Sequence, residues 1–192
     1  MEQSFLYSIG HGNKPIEEFI DELNQFDIKF LIDIRSIPYS KYYPWFNAEE
    51  LKRAITETNT IKNGYMGDSI GGLPPKECLC YTNGKVDYGK LAKMDFFKQG
   101  MVRLVNANRK GLRTCIMCSE SDPSQCHRTK LIGVELKKMG IELQHIYRTR
   151  LGKVLIKSQA QVISEVINND DSKNTFFNNS ENINFTSRKE YV

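Results

Sequence analysis

Eleven residues, Cys118-Ser119-Glu120-Ser121-Asp122-Pro123-Ser124-Gln125-Cys126-His127-Arg128, hold the densest chemistry of the chain: two thiols, two carboxylates, an imidazole and a guanidinium. Asp122-Pro123 reads as an N-cap followed by proline at the first helical position, and Gln125 would complete a capping box. That places Cys126, His127 and Arg128 in or just after the first turn of a helix. Free N–H groups and the dipole there favour anions and would lower a thiol's pKa. His127 and Arg128 are adjacent, about 100° apart on a helix, so they cannot both face one small ligand. Three readings stay open. Arg128 and the helix N-terminus hold a phosphate or carboxylate while Glu120 or His127 transfers protons, with Cys126 or Cys118 as a candidate nucleophile. Alternatively, Cys118, Cys126 and His127, with His11 as a further donor, bind zinc or iron, although the C-x₂-C and H-x₃-H pairs of common zinc sites are missing. In the third, the cysteines are buried small residues and Arg128 pairs with Asp33.

Two further segments carry candidates. In Gly10-His11-Gly12-Asn13 the glycines let the backbone approach a ligand, which makes His11 a candidate catalytic group and Asn13 a candidate anion contact. In Asp33-Ile34-Arg35-Ser36, Asp33 suits a ribose hydroxyl or a catalytic carboxylate and Arg35 an anion, or the two form an ion pair that organises the loop. Tyr39, Tyr42, Tyr43, Trp45 and Phe46, with Arg35 and Lys41, could stack bases and hold phosphates, or could cover one end of the fold. Cys78-x-Cys80 is too closely spaced for a zinc knuckle or a thioredoxin-like pair and is assigned no role. His145 falls within a strand and reads as structural.

The elements that must position these groups follow from periodicity. Phe5–Ile9 is a strand ended by the Gly10–Asn13 turn. A helix follows Pro15, with Ile16, Phe19, Ile20, Leu23 and Phe26 on its buried stripe. Phe30–Ile34 is a second strand, so this first unit predicts a parallel pair with a right-handed crossover. Beyond the irregular stretch Arg35–Asn47 come a helix over Ala48–Thr58 and an extended segment around Tyr65–Ile70. Gly71–Pro75 is a break, and an excursion turns at Asn83-Gly84. A helix spans Tyr88–Arg109, Thr114–Cys118 is a fourth strand, and a helix carries Ile132, Leu136 and Met139 on one face up to Gly140. Ile141–Tyr147 is a fifth strand. The expected architecture is a single three-layer α/β domain over residues 1–150, with a mostly parallel sheet of about five strands. Residues 151–192 form an extension, mobile or peripheral from about 168 onward. In such a sheet ligands bind at the carboxyl ends of the strands, so His11, Asp33, Arg35, Glu120, Cys126, His127 and Arg128 are expected along one edge.

The 192 residues suffice for one domain with a core. A net charge of +4 does not by itself mark a nucleic-acid binder, no apolar run is long enough to span a membrane, and the N-terminus lacks a signal-peptide pattern. The five cysteines therefore read as cytoplasmic thiols rather than a disulfide framework.

Ser8-Ile9-Gly10-His11-Gly12-Asn13, Leu31-Ile32-Asp33-Ile34-Arg35-Ser36 with Pro38 and Phe46-Asn47, Ile70-Gly71-Gly72, and Cys118-x-Glu120-x-x-Pro123-x-x-Cys126-His127-Arg128 resemble, in the same order, the motifs of the domain-of-unknown-function family DUF488. The resemblance runs from about Phe5 to Tyr147, departs at Gly12, where serine is common, and excludes the tail. It implies a Rossmann-like fold and a shared polar site at His11, Asp33, Arg35, Glu120, Cys126, His127 and Arg128, and names no reaction or cofactor. The expected ligand is a phosphorylated or nucleotide-like molecule, or nucleic acid. The alternatives are a zinc or iron enzyme, and a non-catalytic nucleic-acid module using the aromatic loop and the basic stretch Arg148–Lys157.

Overall fold

The computed structural model describes residues 4–168 and 184–191. Its centre is a six-stranded sheet. Strands β1 (Leu6–Gly10), β2 (Phe30–Asp33), β3 (Lys62–Tyr65), β6 (Thr114–Cys118), β7 (Gln144–Arg148) and β8 (Val154–Ser158) lie in the order β3-β2-β6-β1-β7-β8. All neighbours are parallel except β7 and β8. The small hairpin of β4 (Tyr81–Thr82) and β5 (Lys85–Val86) stands apart. Every residue of β1 and β6 is buried, as strands covered on both faces should be.

Side chains alternate across β6. Cys115 and Met117 pack with Phe19 and Leu23 of helix α1 (Ile16–Gln25) and with Leu51 and Ile55 of α2 (Ala48–Glu57). Ile116 and Cys118 face the opposite layer. There lie α3 (Gly67–Ile70), α4 (Tyr88–Leu91), α5 (Asp95–Arg109), α6 (Val134–Lys138) and α7 (Gln159–Asn168). The three-layer α/β expectation holds.

Several details differ from the sequence reading. β1 and β2 are not neighbours, because β6 inserts between them and bonds to both. The segment Tyr65–Ile70 is the end of β3 followed by α3, and the helix expected over Tyr88–Arg109 is broken between α4 and α5. Met139 lies beyond the last turn of α6 and is 51% exposed, while Gly140 takes the positive φ of a C′ residue. Cys78 and Cys80, two residues apart with their Cα atoms at 5.2 Å, are bonded to each other rather than standing as free thiols. Cys115, Cys118 and Cys126 are free thiols.

The chain beyond residue 150 is not peripheral where it is described. β8 extends the sheet and α7 buries Val162, Ile163 and Val166. His145, buried in β7, bonds Ser8 Oγ at 2.6 Å and Gln159 Oε1 at 2.7 Å, stitching α7 to the central strands. Residues 184–191 dock on the hairpin through Ser187 N–H to the Val86 carbonyl, Tyr88 N–H to the Phe185 carbonyl and Asn184 Nδ2 to Asp87. Phe185 is 2% exposed in the core. The mobile tail expected from about 168 falls mainly on residues 169–183, outside the described residues.

Candidate functional site

β2, β6 and β1 are consecutive in the sheet, so the loops leaving their carboxyl ends meet. The β1 and β6 loops are joined by His11 N–H to the Cys118 carbonyl and Gly12 N–H to the Ser119 carbonyl, both at 3.0 Å. This approach requires glycine at position 10, where a Cβ would stand 1.8 Å from the Glu120 carbonyl oxygen.

The Arg35 guanidinium is held on three sides. Nε bonds Asp33 Oδ1 at 3.0 Å, Nη2 bonds Asp33 Oδ2 and the Phe46 carbonyl, each at 2.6 Å, and Nη1 lies 3.3 Å from His11 Nε2. A guanidinium has five N–H donors, so one at Nη1 is left for a ligand. The reading of Asp33-Arg35 as an organising ion pair is the one realised. Asp33 is engaged in it and is not among the residues lining the cleft, where its pairing positions Arg35.

His11 is buried, its ring stacked on Phe46 at 4.3 Å. Its Nδ1 donates to the Gly12 carbonyl at 2.9 Å, leaving Nε2 to accept from Arg35. Burial, with the Arg35 charge adding to it, lowers its pKa to about 4, so the ring is neutral at neutral pH.

Cys118, at the end of β6, donates its S–H to Glu120 Oε2 at 2.7 Å. Its pKa is raised well above an ordinary thiol's, first by a hydrogen bond with Cys126 and then by burial. Burial works to raise the Glu120 pKa too, but the Cys118 bond, a backbone bond and the nearby His127 outweigh it and hold the carboxyl below its usual range.

No regular helix begins at Cys126. Asp122 caps a single 3₁₀ turn, Pro123–Gln125, by accepting from Ser124 N–H. Cys126 is extended and a π-helical stretch, Arg128–Gly133, follows. The capping box does not form, since Gln125 bonds Ser124 Oγ instead. The expected helix-terminal anion site is therefore absent. Cys126 Sγ accepts the Arg128 N–H and lies 3.6 Å from His127 Nδ1, which is 3.8 Å from Cys118 Sγ. The three donor atoms of Cys118, Cys126 and His127 lie within 4.8 Å of one another and are the group among the described residues able to hold a metal. The His127 ring rests on Gly72, where a Cβ would come within 2.8 Å of its Cγ. Its Nε2 is buried without a protein partner.

Arg128 turns inward, as its adjacency to His127 demands. It is 0% exposed and bonds the Glu120 carbonyl at 2.6 Å and the Ser121 carbonyl at 3.2 Å. It holds the Glu120 loop rather than an anion, and it does not pair with Asp33.

A two-lobed cleft opens on these groups. One lobe, about 210 Å³, is lined by Cys118, Glu120, His127, Tyr88 and Gly72, and by Arg188, Lys189 and Tyr191 of the docked C-terminal segment. The other, about 540 Å³, is lined by His11, Asn13, Tyr39, Tyr43 and Ser121. Arg35, Ile37, Ser119 and Glu120 belong to both. His11, Asn13, Arg35, Glu120 and His127 thus converge, with Cys126 directly behind His127. Ser36, noted in the sequence after the second strand, lines the first lobe, and Tyr88, Ser187, Arg188, Lys189 and Tyr191 are additions the sequence reading missed. The adjacent basic pair Arg188-Lys189 was their one signal. The basic stretch singled out instead has its two ends paired, Arg148 with Glu18 and Glu22 and Lys157 with Glu165. No helix among the described residues is long and apolar enough to cross a membrane.

Compared with known proteins, residues 15–134 match the profile of the domain of unknown function DUF488. No curated protein and no solved structure matches.

Proposed function

This chain belongs to the DUF488 family, and from the geometry of its cleft we propose that it is an enzyme acting on a phosphorylated, nucleotide-like small molecule, with Glu120 as its base. The reading is carried by one observation, the wall of Arg35 and Glu120 shared by two lobes of different character. Arg188 and Lys189 bring positive charge to the first lobe, and Arg35 adds its remaining N–H, a combination suited to phosphate. Tyr39, 67% exposed, and Tyr43 give the second lobe faces on which a planar base stacks. At the junction, Glu120 is ionised at neutral pH and takes a proton from the reacting group. Neutral His11 keeps Arg35 aimed without repelling it. Cys118, whose S–H donates to Glu120, is assigned no nucleophilic role.

The test is a thermal-shift and calorimetric panel at low salt: nucleoside mono-, di- and triphosphates, ribose 5-phosphate and inorganic phosphate. A nucleotide present at a hundred times its Kd stabilises the fold by about 2.7 kcal/mol. That shift should shrink with salt and largely vanish in the Arg188→Ala/Lys189→Ala variant, whereas Glu120→Gln should bind and not turn over. No shift from any nucleotide at millimolar concentration, or an equal shift from phosphate alone, overturns the proposal.

A further inference from the structure

We propose that Cys118, Cys126 and His127 form a zinc centre with three protein donors and a fourth position open to the cleft. The first argument is distance. Around tetrahedral zinc, with Zn–S about 2.3 Å and Zn–N about 2.0 Å, a sulfur and a nitrogen ligand stand about 3.6 Å apart. His127 Nδ1 stands 3.6 Å from Cys126 Sγ and 3.8 Å from Cys118 Sγ, and all three donor atoms lie within 4.8 Å of one another, so one ion placed between them can reach all three.

The second argument is chemistry. Two thiols and an imidazole are a soft donor set that suits zinc and excludes magnesium and calcium. Among the described residues, the partners of His127 Nδ1 are these two sulfurs. The irregular backbone does the positioning. Cys118 ends β6, extended Cys126 bridges the 3₁₀ turn and the π-helical stretch, and Gly72 leaves room for the ring. This explains why no familiar ligand spacing stands in the sequence: the donors come from a strand end and the turn after it, not from a zinc knuckle.

The third argument is access. Cys118 and His127 line the cleft, so the fourth position faces a ligand or a water, as catalytic zinc sites require. Glu120 Oε2, 2.7 Å from Cys118 Sγ, is nearer than two zinc ligands stand to each other. It sits beside the donor set, against Cys118, rather than within it. Loading replaces the two S–H protons, which leave to solvent as the thiols become thiolates. The centre rests on its donors alone and does not depend on the nucleotide reading, because metal content and nucleotide binding are measured separately.

The experiment is elemental analysis of the full chain, purified without chelators and then equilibrated with zinc sulfate and desalted. The expected result is one equivalent of zinc, with affinity at least tenfold weaker in each of Cys118→Ser, Cys126→Ser and His127→Gln, and unchanged in Cys115→Ala. Cobalt loading of the unmodified chain gives a second reading that no misfolded variant can spoil: thiolate-to-cobalt charge transfer and the d–d bands of a four-coordinate ion. Zinc below a tenth of an equivalent, equal zinc in all variants, or a cobalt spectrum without thiolate charge transfer overturns the centre. Iron bound in preference to zinc overturns the choice of metal.

Discussion

Nη1 of Arg35 and Nε2 of His11 lie 3.3 Å apart across the gap between the β2 and β1 loops. The guanidinium can only donate, so the imidazole must accept, and Gly12 fixes which nitrogen does so by taking the proton-bearing Nδ1. One side chain thereby sets the tautomer of another, and the pair ties two loops whose strands are separated by β6.

Arg35 is therefore expected to be costly to replace. Arg35→Met leaves the buried Asp33 carboxylate unpaired, which destabilises by about 3–5 kcal/mol. Adding Asp33→Asn removes the orphaned charge and should recover part of that loss. Urea denaturation of the two single variants and the double variant checks this, and strictly additive effects would count against the coupling.

Stability should fall on acidification. His11 and His145 titrate at about 4 and about 3 when folded, against 6.5 when unfolded, chiefly because burial disfavours the charged ring. Between those values the unfolded chain binds more protons than the folded one, so stability is complete above pH 6.5 and declines below it. Each histidine contributes a slope of about 1.4 kcal/mol per pH unit, until folded His11 protonates near pH 4 and folded His145 near pH 3. Melting temperatures across pH 7 to 4 read the decline, which should be shallower in His145→Gln.

Two glycines should separate folding from site geometry. Gly10→Ala drives a methyl into the Glu120 backbone, which cannot yield, whereas Gly72→Ala meets Cγ, Nδ1 and Cβ of the His127 side chain, which must swing about χ1. The first should cost more than about 3 kcal/mol; the second should cost about 1 kcal/mol while moving the imidazole. Denaturation gives the energies, and the histidine ring resonances in an NMR spectrum report the displacement.

The segment 184–191 should behave as part of the domain. Phe185→Ala removes a buried ring from the core and is expected to cost about 3–5 kcal/mol. A loss below 1 kcal/mol by denaturant titration would show the segment to be loosely held.

The layers and the site edge were legible in the sequence because they rest on local patterns. The stripe of α1, the apolar run of β6 and the polar residues directly after each strand need only periodicity to be read. What was not legible depends on partners distant in sequence. Nothing within Thr114–Cys118 says that it lies between β1 and β2. β3 is a short polar edge strand, exposed at Lys62 and Asn63, and carries no apolar signature. Arg128 looks like an anion-binding residue until the carbonyls of Glu120 and Ser121 are seen to take its protons. Segment 184–191 is held by a few anchors, Phe185 and Ser187 above all, in otherwise polar surroundings.

The late arrival of β6 between β1 and β2 also constrains how the molecule assembles. Leu6 and Phe30 both register against Thr114, so the sheet's two oldest strands wait for a far later one before either is joined to the other. Pairings of such long range slow folding, since loop-closure entropy is spent before any contact repays it. The meeting of His11 with Arg35 therefore rests on β6 being in place between their strands. A fragment ending before Thr114 would hold both residues and none of the arrangement between them.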